Sequence, residues 1–332
     1  MRTAVIDVGT NTVRLLVADY KGAKNFTPVF RQELITRLGE GFSIKGVMSG
    51  NAIERTLGAL SDFKKAITEF GVDKTIAVAT SVVREAENGK DFIEKVRAET
   101  GIEIISISGK TEAKLACQGA LLPVDCEYDQ AFIFDIGGGS TEFILTQGTE
   151  LLSVESINLG VVHLAEQYLH TDPPQHHELA AIEKTIHSKI ENVRERFQTA
   201  ALYPFEPGAK IILIGIAGTP TTLAAIDLKL VDYDRAKVTN HLLKRKRIDE
   251  ILQELVGKRA AERLLMPGLQ KGREDLIIPG TLIVSALMDI FGFSTFRVID
   301  SGILEGILLS IPLLEHQFHV FPGDNEENGR KY

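Results

Sequence analysis

Two segments of the chain end an apolar run in aspartate and follow it at once with glycine and short polar side chains. The first is Ala4-Val-Ile-Asp7-Val-Gly9-Thr10-Asn11-Thr12-Val-Arg14, and the second is Phe132-Ile-Phe-Asp135-Ile-Gly137-Gly138-Gly139-Ser140-Thr141-Glu142. A strand ending in this way presents backbone N–H groups and hydroxyls to one point, which is how proteins hold a phosphate group. The strand-end carboxylate is a hard oxygen donor, suited to a magnesium ion taken directly or through water. Three consecutive glycines are costly unless the backbone must approach something closely. A third turn, Gly215-Ile-Ala217-Gly218-Thr219-Pro-Thr221-Thr222, sits between a strand and a helix, where a helix N-terminus receives an anion. Each turn alone also reads as an ordinary hairpin made of common turn residues. Three in one chain, two with an acid at the strand end, point to phosphate chemistry.

The elements that must position these turns follow from hydrophobic periodicity. Residues 3–7 and 13–19 read as strands around the first turn, with a third strand between 27 and 38. Ile53, Leu57, Leu60, Phe63 and Ile67 recur at helical spacing between Ser49, a candidate N-cap, and Gly71, a stop. Strand 75–79, a helix over 91–99, strand 103–106 and a helix opening near Thr111 complete the first half. The pattern then restarts with strands 131–135, 141–145 and 153–158, a charged helix over 178–197, and strand 210–214. It closes with strand 296–299 and an apolar helix over 303–314, and the polar segment 315–332 reads as a frayed tail. Asp7 and Asp135 lie 128 residues apart, one domain length, so the chain reads as a domain-level duplication.

With 332 residues the chain is sized for about two domains, and 44% hydrophobic against 25% charged residues is the balance of a globular protein with a sizeable core. The uncharged run from Leu276 to Met288 is broken by Pro279 and is too short for a membrane span. Met1-Arg2-Thr3 leads straight into a strand, which argues against a signal peptide. Cys117 and Cys126 have no metal-ligand or redox spacing, and together these features lead us to expect a reduced, cytoplasmic protein. A net charge of −8 argues against DNA as a partner, so a polyanion needs a local basic pocket. Lys244-Arg-Lys-Arg247 and Lys271–Arg273 could supply one, although a solvated helix face explains the former as well. His176-His177 has no further ligand at useful spacing and reads as surface histidine rather than metal site.

At this point the sequence resembles the exopolyphosphatase/guanosine pentaphosphate phosphohydrolase family, within the superfold of sugar kinases, Hsp70 chaperones and actin. The resemblance runs through Asp7–Arg14, Arg37-Leu-Gly-Glu-Gly41, Ala79-Thr-Ser-Val-Val-Arg84-Glu-Ala, Ser108-Gly-Lys-Thr-Glu112-Ala and Asp135–Glu142. It continues through Asn158-Leu-Gly160, Asp172-Pro-Pro, Gly215–Leu223 and Gly302-Ile-Leu-Glu-Gly306. Arg84 and Glu112 are its most specific part, because they separate this family from the kinases.

The resemblance implies an α/β protein of two RNase H-like domains facing across a central cleft. Domain I would hold 1–124 plus 303–332, and domain II 125–302. It implies that Glu112 activates the attacking water and that Arg84 clamps phosphate oxygens. Read from the residues alone, Glu112 is first a helix-opening acid favoured by the macrodipole, and Arg84 has the alternative of a surface ion pair with Glu85 or Glu87. Asp7, Asp135 and Glu142 are expected to form the magnesium and water network. Gly9, Thr10, Asn11, Thr12, Arg14, Gly137, Gly138, Gly139, Ser140, Thr141, Gly215, Gly218 and Thr219 are expected to bind substrate. The implied reaction is magnesium-dependent release of the terminal phosphate from inorganic polyphosphate or from guanosine pentaphosphate. A sugar-kinase-type phosphotransferase and a non-enzymatic nucleotide or alarmone sensor are the alternatives.

Three positions depart from the family pattern. Thr111 stands where a second acid is common, Ala217 where glycine is usual, and Leu304 where arginine is common. Longer members of the family carry a further C-terminal helical domain, which leads us to expect a preference for short substrates here unless a homodimer rebuilds the polyanion track.

Overall fold

The computed structural model describes residues 1–22, 25–203, 205 and 208–318. The first half contributes β1 (Arg2–Val8), β2 (Thr12–Tyr20), β3 (Phe26–Ile35), β4 (Lys74–Ala79) and β5 (Ile104–Ser106), ordered β3-β2-β1-β4-β5 in one sheet. The second half contributes β6 (Gln130–Ile136), β7 (Thr141–Gln147), β8 (Glu150–Ile157), β9 (Ile211–Ile216), β10 (Leu242–Lys244) and β11 (Thr295–Val298), ordered β10-β11-β9-β6-β7-β8. With β10 set aside, the second order repeats the first strand for strand. In both sheets the first three strands pair antiparallel and the next join parallel. The duplication read from two aspartates is therefore a duplication of whole sheets, in the paired α/β architecture expected.

β1 and β6 are nearly continuous apolar runs because both faces of each sheet are covered. Ala4, Ile6 and Val8 pack with the helix Gly50–Glu69, whereas Val5 turns to the helix Ile303–Phe318. In β6, Phe132, Phe134 and Ile136 enter the large core of the second half, and Ala131 and Ile133 face the other way. What they face is the helix Gly109–Leu121, whose Ala113, Ala116, Cys117 and Ala120 pack on the second sheet. Leu115 of the same helix packs with Val5, Leu16 and the last helix. The helix that carries Glu112 is thus shared between the two halves.

Close approach at this junction depends on two glycines. A methyl group at Gly119 would overlap the Gly302 carbonyl, and one at Gly306 the Leu115 carbonyl. Replacing Gly306 by alanine is expected to destabilise the protein by about 1–3 kcal/mol, the usual cost of overpacking. The loss should hold although alanine is the better helix former by about 1 kcal/mol. A lower midpoint in urea unfolding is the check.

Boundaries shift where tertiary packing outweighs local pattern. β3 ends at Ile35, and the last helix runs to Phe318 instead of stopping at Leu314; residues 319–332 of the expected tail lie outside the described residues. The run holding Pro279 forms the helix Ile277–Phe291, with proline in its first turn, where its missing N–H costs nothing. Among the described residues no helix is long and apolar enough to cross a membrane.

Candidate active site

The two strand-end aspartates sit at equivalent registers, and their antiparallel partners set the site's electrostatics. Asp7 pairs with Arg14, whereas Asp135 pairs with Glu142. In the first half Arg14 Nε donates to Asp7 Oδ2 at 2.9 Å, and Nη2 donates to the same oxygen. Asp7 Oδ1 is left buried with no partner. In the second half the same register brings two acids together. Burial, then the neighbouring Asp7, push the Asp135 carboxyl up to about 6, against the pull of Arg14. Burial and Asp135 push Glu142 up to about 8, although hydrogen bonds from Ser140 and Ser156 work the other way.

Glu112 joins this cluster from the junction helix. Ser108 caps that helix, accepting from the Thr111 N–H at 3.1 Å, and Glu112 follows in the first turn. Its side chain is 14% exposed, with Oε2 at 3.5 Å from Arg84 Nη1. Burial, followed by Glu142, Asp135 and Asp7, holds its carboxyl well above the usual range, and Arg84 only partly offsets them. Arg84 closes the short helix Ser81–Glu85 after β4, donates to the Ile107 carbonyl at 2.8 Å, and lies 3.4 Å from Glu85. Arg84 thus pairs with Glu85, as the surface reading expects, and with Glu112, and it does not line the cavity between the halves.

A cavity of about 440 Å³ opens between the halves. Asp7, Gly9, Thr10, Asn11, Thr12, Arg14, Glu112, Asp135, Gly137, Gly138, Ser140, Gly218 and Thr219 line it, so the expected site residues converge from all three turns. Several others do not line it. Gly215 lies within β9, where a methyl would stand 2.6 Å from the Phe134 ring, so it serves core packing rather than substrate. Thr141 is buried in β7 and donates to the Leu159 carbonyl. Glu142 is buried behind the wall, accepting from Ser156 Oγ at 2.8 Å. Gly139 packs on Ser81, where a methyl would come within 2.6 Å of the hydroxyl, and Gly138 packs on Thr10. The triple glycine is therefore explained first by contact with the opposite turn, where Thr10 Oγ1 and Ser81 Oγ lie 2.8 Å apart.

The departures resolve individually. Ala217 adopts φ 67°, ψ −165°, a region nearly reserved for glycine. Ala217→Gly is expected to raise stability by about 1 kcal/mol, the strain released less the entropy glycine loses on folding. A higher thermal midpoint at unchanged unfolding cooperativity is the check. Leu304 is buried in the cavity wall, and the ionic contact arises one residue on, at Glu305. Burial works against the charge of Glu305, but Arg31 and Arg235 outweigh it and hold the carboxyl low. Glu305 was missed as a site residue, although it stands inside the Gly302–Gly306 motif.

The arginines of the basic clusters are held in ion pairs. Arg245 pairs with Asp249 and Asp289, Arg247 with Asp227, and Arg273 with Glu33. His176 and His177 open the helix His176–Thr199, and no group of His, Cys, Asp or Glu among the described residues is gathered tightly enough to hold a metal on its own.

Known proteins are similar to this chain. The chain is 32% identical to Exopolyphosphatase 2 of Mycobacterium tuberculosis, covering 93% of this chain and 98% of that protein. It is 33% identical to a Bifunctional 3-dehydroquinate synthase/phosphatase of Fusobacterium nucleatum, and spans only 46% of that longer relative. Among solved structures, an exopolyphosphatase from Cytophaga hutchinsonii superposes with a TM-score of 0.84 at 26% identity, over 94% of this chain and 97% of that one. A Ppx/GppA family member from Aquifex aeolicus gives 0.77 at 29% identity, over 95% and 98%. Residues 16–315 match the Ppx/GppA phosphatase family as a whole, and with the acid cluster and paired glycine turns in place, this chain belongs to that family.

Proposed function

We propose that this protein hydrolyses the terminal phosphoanhydride of inorganic polyphosphate, as the names of its exopolyphosphatase relatives suggest. The observation that carries this reading is Glu112: a carboxylate with raised proton affinity, beside Arg84, in the wall of a cavity lined by the three glycine turns. A general base of this kind takes the proton of a water as that water attacks phosphorus. Arg84 orients Glu112 and offers its guanidinium to the phosphate oxygens. The first two turns both line this cavity, and their backbone N–H groups hold the terminal phosphate.

The residues fit a magnesium ion. Asp7 Oδ1 is a buried oxygen with no partner, and the carboxylates of Asp135 and Glu112 crowd the same space. Magnesium binds through one or two carboxylates while keeping waters and substrate oxygens, so a tight three-residue cage is not required. When bound, it would neutralise charge on the phosphate being cleaved and on its leaving group. The lobes that close on it are proposed to be 1–124 with 303–332, and 125–302.

Phosphate release from polyphosphate, from guanosine pentaphosphate, and from ATP with a panel of sugars tests the reading. Release from polyphosphate with magnesium supports it. Sugar phosphorylation, or no release from either phosphoanhydride, would sink it.

A further inference from the structure

We infer that the segment from Arg37 to Phe42 is a positioning device for the reaction: two ties to the second half hold it against the back of the first glycine turn, and Arg37, Asp275 and Glu166 are its positioning residues. This inference rests on the hydrolase reading of the cavity. Arg37-Leu-Gly-Glu-Gly41 stood out in the sequence, yet none of its residues lines the cavity.

On its inner side the segment is bound to the turn itself. The Thr36 and Arg37 N–H groups donate to the Asn11 carbonyl at 3.0 and 2.9 Å, and the Gly39 N–H donates to the Thr10 carbonyl at 2.8 Å. The contact is so close that a methyl at Gly39 would stand 2.3 Å from Thr10 Cγ2. Carbonyl and N–H point opposite ways across a trans peptide, so a bond to the Thr10 carbonyl fixes where the Asn11 N–H points. The same holds for the Asn11 carbonyl and the Thr12 N–H. Thr10, Asn11 and Thr12 line the cavity, and their backbone is therefore oriented by residues that stand behind them.

On its outer side the segment is held by the second half at both ends. Arg37 forks onto Asp275, with Nη1 donating to Oδ2 at 2.8 Å and Nη2 to Oδ1 at 3.0 Å. At the other end the Gly41 N–H donates to Glu166 Oε1 at 2.6 Å, and the Phe42 ring meets His163 with centroids 5.8 Å apart. The Arg37 end continues a seam along the edge strand β3. Glu33 pairs with Arg273, a methyl at Gly272 would lie 3.0 Å from Ile35 Cδ1, and Arg37 follows at the two-residue spacing of one strand face. Arg37 itself has φ 50°, a left-handed conformation unfavourable for any residue with a Cβ. A bidentate, charge-assisted pair is the strong form of hydrogen bond, and here it holds that conformation in place. Within the first half Arg55 also grips the segment, donating to the Thr36 carbonyl at 2.9 Å and to Glu40 Oε2 at 2.5 Å. Loss of the outer ties should therefore loosen the segment without unfolding it. The geometry of the first turn is thereby made conditional on the docking of the two halves.

The test is the Asp275→Asn/Glu166→Gln double variant of the full chain, which removes both ties without touching the turn. With tripolyphosphate and magnesium, KM is expected to rise about tenfold while kcat stays within about twofold of wild type, because substrate binding must now order the turn. Hydrogen exchange on peptides spanning 9–14 and 36–42 should quicken by about tenfold, with the helix Gly89–Thr100 unchanged. Arg37→Asp and Asp275→Arg should each raise KM when made singly. Made together they should return it to within about threefold of wild type, since the swap restores the pair in reverse. In a protein that hydrolyses tripolyphosphate, an unchanged KM in the double variant overturns the inference, as does unchanged exchange in the two peptides. A swap that recovers nothing overturns it too, and so does exchange that quickens throughout the chain, which would make the ties general structural support. Exchange also separates this inference from the functional reading. If wild type releases no phosphate while those two peptides alone quicken in the variant, the segment positions the turn and the hydrolytic reading fails.

Discussion

Replacing Glu112 by glutamine is expected to leave the fold and polyphosphate binding in place and to lower hydrolysis by about 10²–10⁴-fold, the range for a general base. The amide keeps the size of the side chain and still holds a water, but it cannot take the proton. The fold should tolerate the change, because the helix is capped by Ser108 and anchored by Ala113, Ala116 and Ala120, not by the carboxylate. Removing a charge from a crowd of acids also relieves repulsion among Glu112, Glu142, Asp135 and Asp7. The pH profile supplies a second readout. A base is active when deprotonated, and burial together with the neighbouring acids raises the proton affinity of Glu112. Wild-type kcat/KM should therefore climb with pH well above the ordinary glutamate range, and that acid limb should vanish from the residual activity of Glu112→Gln. Wild-type activity in the variant would reduce Glu112 to a helix-opening acid.

Chelation of magnesium should abolish phosphate release, and Asp135→Asn should raise the magnesium concentration for half activity by roughly 10–100-fold, the scale seen when a metal's supporting groups are removed. The asparagine keeps the shape and loses the charge. It also removes a like charge from Glu142, so stability should hold or improve. Asp7→Asn is expected to raise the magnesium requirement too, but less cleanly. Both donors of Arg14 to Asp7 meet one oxygen, and without that carboxylate a two-thirds-buried guanidinium loses its counter-charge. Titrating activity and melting temperature against magnesium for both variants separates the effects. An unchanged metal requirement in both would sink the shared-ion site.

Much of this was legible in the sequence, for definite reasons. Buried strands of a doubly covered sheet must be apolar throughout, so Ala4–Ile6 and Phe132–Phe134 announced β1 and β6. A glycine turn after a strand-end acid is a local event, and therefore the Asp7 and Asp135 turns and their duplication could be read without a fold. The helix behind Glu112 was equally local, although it opens at Gly109 rather than near Thr111.

What the sequence alone could not decide depends on residues far apart in the chain. Arg14 and Glu142 occupy equivalent registers, yet one neutralises its aspartate and the other repels it; only strand pairing turns that difference into an electrostatic asymmetry. The glycines at 138 and 139 read as room for phosphate, but their first neighbours are Thr10 and Ser81 from the opposite half. Gly215 and Thr141 carried turn chemistry on paper and became packing and backbone satisfaction within the second sheet. The arginines of the apparent basic patches dissolved into ion pairs because acids distant in sequence fold against them. Residue type and spacing fix which turns form, since those energies are local. Which charges remain available to a substrate is settled only when the two sheets close on the helix between them, because pairing and burial act through space.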